Sequence, residues 1–218
     1  MVVAEIKLGE SRLSHLNRNY YTVSDYPVSV YGERVSKKKG KYVRYWDPKR
    51  SKLSAALNLG LEHFSFRADS NVLYLGASTG TTVSHISDVC YEGRIFAVES
   101  SYESFVKLIK LSEGRRNIFP ILEDANFVER YVHFLDRIDT IYQDISQRNQ
   151  VQIFNNNAAS CPNASSAILI LKMRAISSRL SEKQILNRSL EEIEGFRVKE
   201  VINLKPFHKA HYFIYLER

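Results

Sequence analysis

From Asn71 onward short apolar runs alternate with amphipathic segments, and this alternation restricts the chain more than any other feature. Strand candidates at 71–75, 94–98, 117–121, 138–143 and 166–171 are separated by helix candidates at 81–89, 101–112, 126–134 and 147–159. Regular alternation of this kind predicts a parallel, doubly wound α/β sheet with helices on both faces. After Lys172, a helix near 181–192 and two strands, 196–203 and 210–216, predict an antiparallel edge. Residues 1–46 read differently. Tyr20–Val23, Val28–Tyr31 and Tyr42–Tyr45 are strand candidates without a helical period between them, so a small β-rich N-terminal subdomain is expected before a main domain over 47–218. Asp47 and Pro48 are placed as cap and first residue of a helix carrying Leu53, Ala56, Leu57 and Leu61 on one face.

The first strand of the alternating part runs into GASTG, Gly76 to Gly80, and then into a helix that Thr81 and Thr82 open as caps. In an open α/β sheet a strand, tight turn and helix N-terminus form a ligand site, because glycine admits close backbone approach and the first helical N–H groups are unsatisfied. Three ligands compete. The glycine spacing is GxxxG and misses the GxGxxG dinucleotide fingerprint. GASTG also matches GxSxG, which would make Ser78 a hydrolase nucleophile with Asp124 or Asp144 and then His208 or His211 as partners. The third ligand is a nucleoside held through an amino-acid tail and ribose, as S-adenosylmethionine is.

The strand ends weigh on this choice, since chemistry gathers at the carboxyl ends of such strands. The second ends in Glu99, roughly twenty residues past the glycine turn, where an acid can accept hydrogen bonds from ribose hydroxyls. The third ends in Asp124 and the fourth in Asp144. Each alone reads as a helix cap. Three successive strands ending in acids are explained economically by one ligand touching each, and a hydrolase elbow gives no reason for Glu99 or for both aspartates. The fifth strand puts Lys172 at the end of an apolar run, where it needs anionic partners. Asp124 and Asp144 are the nearest carboxylates by sheet order, and Lys52 can join them. Two lysines and two aspartates around one point are suited to orienting and deprotonating a hydroxyl.

Charge is concentrated. From Arg34 to Lys52 nine basic residues face the single acid Asp47, a surplus of eight in a chain whose whole net charge is +7. Tyr42, Tyr45 and Trp46 lie among them, and cations interleaved with aromatic rings predict a polyanionic, nucleic-acid partner met by Lys41, Arg44, Lys49, Arg50 and Lys52. No apolar run approaches a membrane span and MVVAEIKLGE lacks a signal-peptide pattern, so a cytoplasmic protein without membrane attachment is expected. Cys90 and Cys161 lack metal-ligand spacing, and no metal is expected.

YVRYWDPKRSKLSAAL, VLYLGASTGTTVSHISD, IFAVESS, NIFPILEDAN and ILKMRAIS resemble fibrillarin of the short archaeal type over nearly the whole chain. The resemblance implies a class I, Rossmann-like S-adenosylmethionine-dependent methyltransferase sheet that methylates ribose 2′-hydroxyls of ribosomal and transfer RNA. It implies direction by a box C/D guide RNA, with a Nop-domain scaffold protein and a kink-turn-binding ribosomal-type protein as partners. The family's catalytic set falls on Lys52, Asp124, Asp144 and Lys172, and its contacts with S-adenosyl-L-methionine on Gly76, Ala77, Thr81, Thr82, Glu99, Ser100, Asp124, Ala125, Asp144 and Gln147. Two departures stand out: NNNAASCPNASSA lacks the family's usual glycines, and Ala210 replaces a common aspartate.

Overall fold

A computed structural model describes residues 12–17 and 19–218. The described residues build two sheets. β1 (Leu13–Leu16), β2 (Asn19–Ser24), β3 (Val35–Lys38) and β4 (Lys41–Trp46) form an antiparallel sheet in the order β1-β2-β4-β3. α1 (Lys52–Asn58) leads to the second sheet, which contains β5 (Val72–Leu75), β6 (Ile95–Glu99), β7 (Ile118–Leu122), β8 (Thr140–Gln143) and β9 (Ser166–Lys172). Between them lie α2 (Thr81–Val89), α3 (Tyr102–Gly114) and α4 (Gln150–Ser160). α5 (Met173–Ile176), α6 (Glu182–Glu191), β10 (Arg197–Asn203) and β11 (His211–Glu217) follow.

The second sheet has the order β10-β11-β9-β8-β5-β6-β7. β5 to β9 pair in parallel, and β11 and β10 add the expected antiparallel edge. Because β5 lies between β6 and β8, consecutive crossovers leave in opposite directions there, which opens a crevice at the strand carboxyl ends. β5, β6 and β8 are buried along their whole length, as a sheet covered on both faces requires. β7 forms the opposite edge. Ile95 N donates to Asn117 O and Glu123 N to Glu99 O, so the odd-numbered residues of β7 bond to β6 and Pro120 turns its donorless nitrogen outward.

Four local readings are corrected. Val28–Tyr31 is a loop, because its backbone wraps the Glu33 carboxylate: Val30 N, Tyr31 N and Ser29 Oγ all donate to it. The segment 126–134 forms two short 3₁₀ turns, Val128–Arg130 and Val132–Phe134, in place of a helix. Asp47 does not cap α1. Its carboxylate accepts from Lys49 N in a turn, and Ser51 caps the helix by accepting from Ser54 N. The threonines that open α2 are not caps either, since Gly80 occupies that position with no side-chain bond.

α2 is buried from Thr82 to Val89 because both sheets cover it. Val83, Ile86 and Val89 pack in the apolar core, whereas Ser84, His85 and Asp88 meet polar side chains of the N-terminal sheet. Arg44 on β4 is fully buried there. Its guanidinium donates to Glu33, Asp88, Ser84 O and Ser84 Oγ, and Arg115 adds a second bridge to Asp88. Two cations balance two anions. Burial lifts the Glu33 pKa but Arg44 outweighs it, so the carboxyl is held below its usual range. This corrects the expectation for Arg44, whose whole donor set is spent inside the protein and which presents nothing to RNA. His85, stacked 4.8 Å from Trp46, is kept well below its ordinary pKa by burial and then by Arg44 and Arg115. It is neutral and bridges Tyr31 OH and Thr22 Oγ1.

Candidate active site

The strand carboxyl ends at the switch point border a cleft of about 390 Å³, within the roughly 300–1,000 Å³ that small-molecule sites occupy. Gly76, Glu99, Ser100, Asp124, Ala125, Asp144, Gln147 and Lys172 all line it. Ala77 is buried behind the turn, and Thr81 and Thr82 lie outside the lining. Thr82 instead donates its hydroxyl to Ser51 Oγ at 3.0 Å, and so ties the helix of the glycine turn to the residue that caps α1. Val98, Ile145, Glu123 and Ser146 also face the cleft and were not picked out by sequence, and Ser78, read there only as a hydrolase nucleophile, lines it too. Val98 and Ile145 are strand-end apolar residues with no polar signature, so only their position could have indicated them.

Gly76 sets how close the turn comes to β8. It has φ +83°, and a Cβ there would stand 2.7 Å from the Asp144 carbonyl oxygen. Gly76→Ala is therefore expected to destabilise the fold by about 1–2 kcal/mol from the backbone conformation alone and to push the end of β8 away. Thermal unfolding and calorimetric titration with S-adenosylmethionine check this, and unchanged affinity in the variant would contradict it. Ser78, also at positive φ, donates its N–H to Glu99 Oε2 at 2.7 Å, and Ser101 N donates to Oε1 at 2.7 Å. Both oxygens of Glu99 are thereby aimed, with lone pairs left for a ligand. Among the described residues no histidine hydrogen-bonds Ser78, which removes the hydrolase reading.

Asp144 is the centre of the charged group. Lys52 Nζ donates to its Oδ2 at 2.8 Å, and Lys172 Nζ stands 2.9 Å from Oδ1. Lys172 also donates to Asp144 O and Ser146 Oγ, so its ammonium is fixed from three sides. Both lysines and Asp144 are mostly shielded, at 18, 16 and 12% side-chain exposure, which strengthens these charges relative to water. Asp124 shares the cleft without touching either lysine. Its Oδ1 accepts from Asn126 N and Nδ2. Asn157 supports the same turn by donating to Ala125 O.

Two histidines stand near the charged group, outside the cleft lining. His211 pairs with Lys172 in the β9–β11 register and donates from Nδ1 to Lys209 O at 2.7 Å, which leaves Nε2 as the nitrogen with the lone pair. His208 donates from Nε2 to Pro48 O at 2.9 Å. Burial lowers the pKa of both, with Lys52 acting in the same direction. Of the cations expected to meet RNA, Lys49 and Arg50 are exposed beside Lys52, and Lys41 is exposed but paired with Asp25.

Among the described residues no helix is long and apolar enough to cross a membrane. The family model described as Fibrillarin matches residues 10–218. A fibrillarin-like rRNA/tRNA 2′-O-methyltransferase from Picrophilus torridus is 54% identical over 208 residues, covering 95% of this chain and 98% of that one. The fibrillarin chain of a fibrillarin/Nop5p complex superposes with a TM-score of 0.88 at 38% identity, covering 95% and 98%. Aeropyrum pernix fibrillarin, solved with natively bound S-adenosyl-L-methionine, gives a TM-score of 0.86 at 32% identity and 97% of each chain.

Proposed function

Since this chain belongs to the fibrillarin family, we propose that it is an S-adenosylmethionine-dependent RNA 2′-O-methyltransferase, the catalytic subunit of a cytoplasmic box C/D guide particle acting on ribosomal and transfer RNA. One observation carries the reading: Asp144 is held between Lys52 and Lys172 at the mouth of a cleft that has carboxylates where a nucleoside needs them. A Nop-domain scaffold is proposed as partner because a relative forms a complex with Nop5p. The guide RNA and the kink-turn-binding protein follow from the family resemblance.

The cleft fits S-adenosylmethionine. Gly76 leaves room for close approach, Glu99 offers two aimed acceptors, Asp124 offers a third carboxylate, and Val98, Ala125 and Ile145 give apolar wall. When bound, the cofactor supplies an electrophilic methyl group on a sulfonium centre. The remaining work falls to the protein. Lys172, fixed by Asp144 and Ser146, orients the 2′-hydroxyl, and Lys52 with Lys172 stabilises negative charge growing on its oxygen. Asp144 holds both ammoniums in place. The hydroxyl proton passes to the Lys172–Asp144 pair, which takes it up as a unit.

Methyl transfer from labelled S-adenosylmethionine to target RNA, with guide RNA and protein partners added or omitted, tests the proposal. Transfer is expected in the complete assembly alone. Strong transfer by the isolated chain would point to a guide-independent enzyme, and cofactor binding without transfer in any mixture to a binding subunit.

A further inference from the structure

Asn149 holds the position before α4 where an asparagine ordinarily caps the helix, yet its side chain makes no cap bond. It donates instead from Nδ2 to Asn126 Oδ1 at 2.9 Å. The two residues follow β8 and β7, which have β5 and β6 between them, so the strands that carry them lie three spacings apart, roughly 14 Å. The bond therefore joins two walls of the cleft, with Ile145, Ser146 and Gln147 on one side and Asp124 and Ala125 on the other. Asn126 passes this restraint on. Its N–H and its Nδ2 both donate to Asp124 Oδ1 at 2.9 Å, so that oxygen is spent and Oδ2 is left for a ligand. The carboxylate in turn fixes which way each amide faces: it requires Nδ2 of Asn126 on its own side, which turns Oδ1 of Asn126 toward the Nδ2 of Asn149. Among the described residues no cation pairs with Asp124, and both hydrogen bonds to its carboxylate come from Asn126.

Sheet order sets what Asp124 meets. From Lys172 through Asp144 and Gly76 to Glu99 and Asp124, the groups at the strand ends form a row along the crevice in the order β9-β8-β5-β6-β7. A nucleoside with its ribose on Glu99 and its sulfonium toward Asp144 turns its base to Asp124. Adenine offers the carboxylate a donor, its exocyclic amino group, whereas hypoxanthine has a keto oxygen at that place and its N1–H to one side. We propose that Asn126, latched by Asn149, is a positioning residue that holds Asp124 for the amino group and so selects adenine in the cofactor. The proposal rests on the methyltransferase reading and adds to it how the base is told apart.

Calorimetric titration of the full chain with S-adenosylhomocysteine and with S-inosylhomocysteine tests it. Wild type is expected to prefer the adenosyl compound by at least about 10-fold, the low end for one hydrogen bond to a charged group. Asn126→Ala is expected to shrink that ratio at least about 3-fold, the scale of one net hydrogen bond, because the freed carboxylate can swing to the N1–H of hypoxanthine. Asn149→Ala is expected to shrink it in the same direction, and the double variant no further than Asn126→Ala, since Asn149 acts through Asn126. Both asparagines lie in turns and neither is buried, so the variants are expected to fold. A ratio kept in Asn126→Ala would overturn the proposal even if both compounds bind more weakly, which is what a merely structural role predicts. So would losses in the two single variants that add in the double one. Wild type that binds both compounds alike would overturn it with the cofactor reading intact, and wild type that binds neither would defeat the methyltransferase reading and the proposal with it.

Discussion

Asp144→Ala is expected to lower methyl transfer at saturating S-adenosylmethionine by at least about 10²-fold, the lower bound for removing a group on which acid–base chemistry depends. The size follows from its double engagement. Without the carboxylate, Lys52 loses its partner at 2.8 Å and Lys172 loses one at 2.9 Å, so two shielded ammoniums face each other uncompensated. Lys172 keeps Asp144 O and Ser146 Oγ, so it stays near its place while Lys52 is released. Asp144→Asn keeps the shape and removes the charge, and is expected to fall nearly as far. Single-turnover rates for these variants, for Lys52→Ala and for the double variant check the account. Losses that multiply as if the sites were independent would show that the pair does not act as a unit. Transfer within a few-fold of wild type in Asp144→Ala would remove Asp144 from the mechanism.

The largest stability effect is expected at Arg44, far from the chemistry. Arg44→Met leaves Glu33 without its cation and Asp88 with Arg115 alone, and breaking a buried pair from one side costs about 3–5 kcal/mol. Urea unfolding measures it. Arg44→Met with Glu33→Gln is expected to recover part of the loss, because the stranded charge goes with the cation. If the double variant is no more stable than Arg44→Met, the cost lies in packing and not in charge. Since Arg44 joins the N-terminal sheet to α2, a second expected sign is earlier exposure of Trp46 fluorescence than of the β5–β9 core.

These two residues show where sequence reading succeeds and where it stops. Asp144, Glu99 and Asp124 were legible because the strand–helix period is local and fixes which residues end each strand. The pairing of Lys172 with Asp144 followed from sheet order, whereas Asp124, expected beside it, follows β7 at the far edge and touches neither lysine, and Lys52 arrives from α1, outside the sheet. Arg44 was not legible. It sits among cations in the chain, but its partners are 11 and 44 residues away, and no local pattern says that a charge on a strand will be buried. Val28–Tyr31 has strand-forming residues and is a loop because the Glu33 carboxylate takes its N–H groups. The helical pattern of 126–134 yields to Tyr131, which is buried and hydrogen-bonded to Asn157 of α4. Hydroxyls misled in a third way: Thr82 looks like a ligand contact in sequence and is spent on Ser51.

The outward side of β7 lacks a donor at Pro120, in the middle of a five-residue strand. A visiting strand could not bond in register along it, so this border of the sheet is closed to extension by backbone pairing. Phe119 and Leu122 remain exposed along the same border. Whatever binds here must do so through side chains, whose fit distinguishes one partner from another. This border of the sheet thus keeps a face that can be recognised but cannot be zipped.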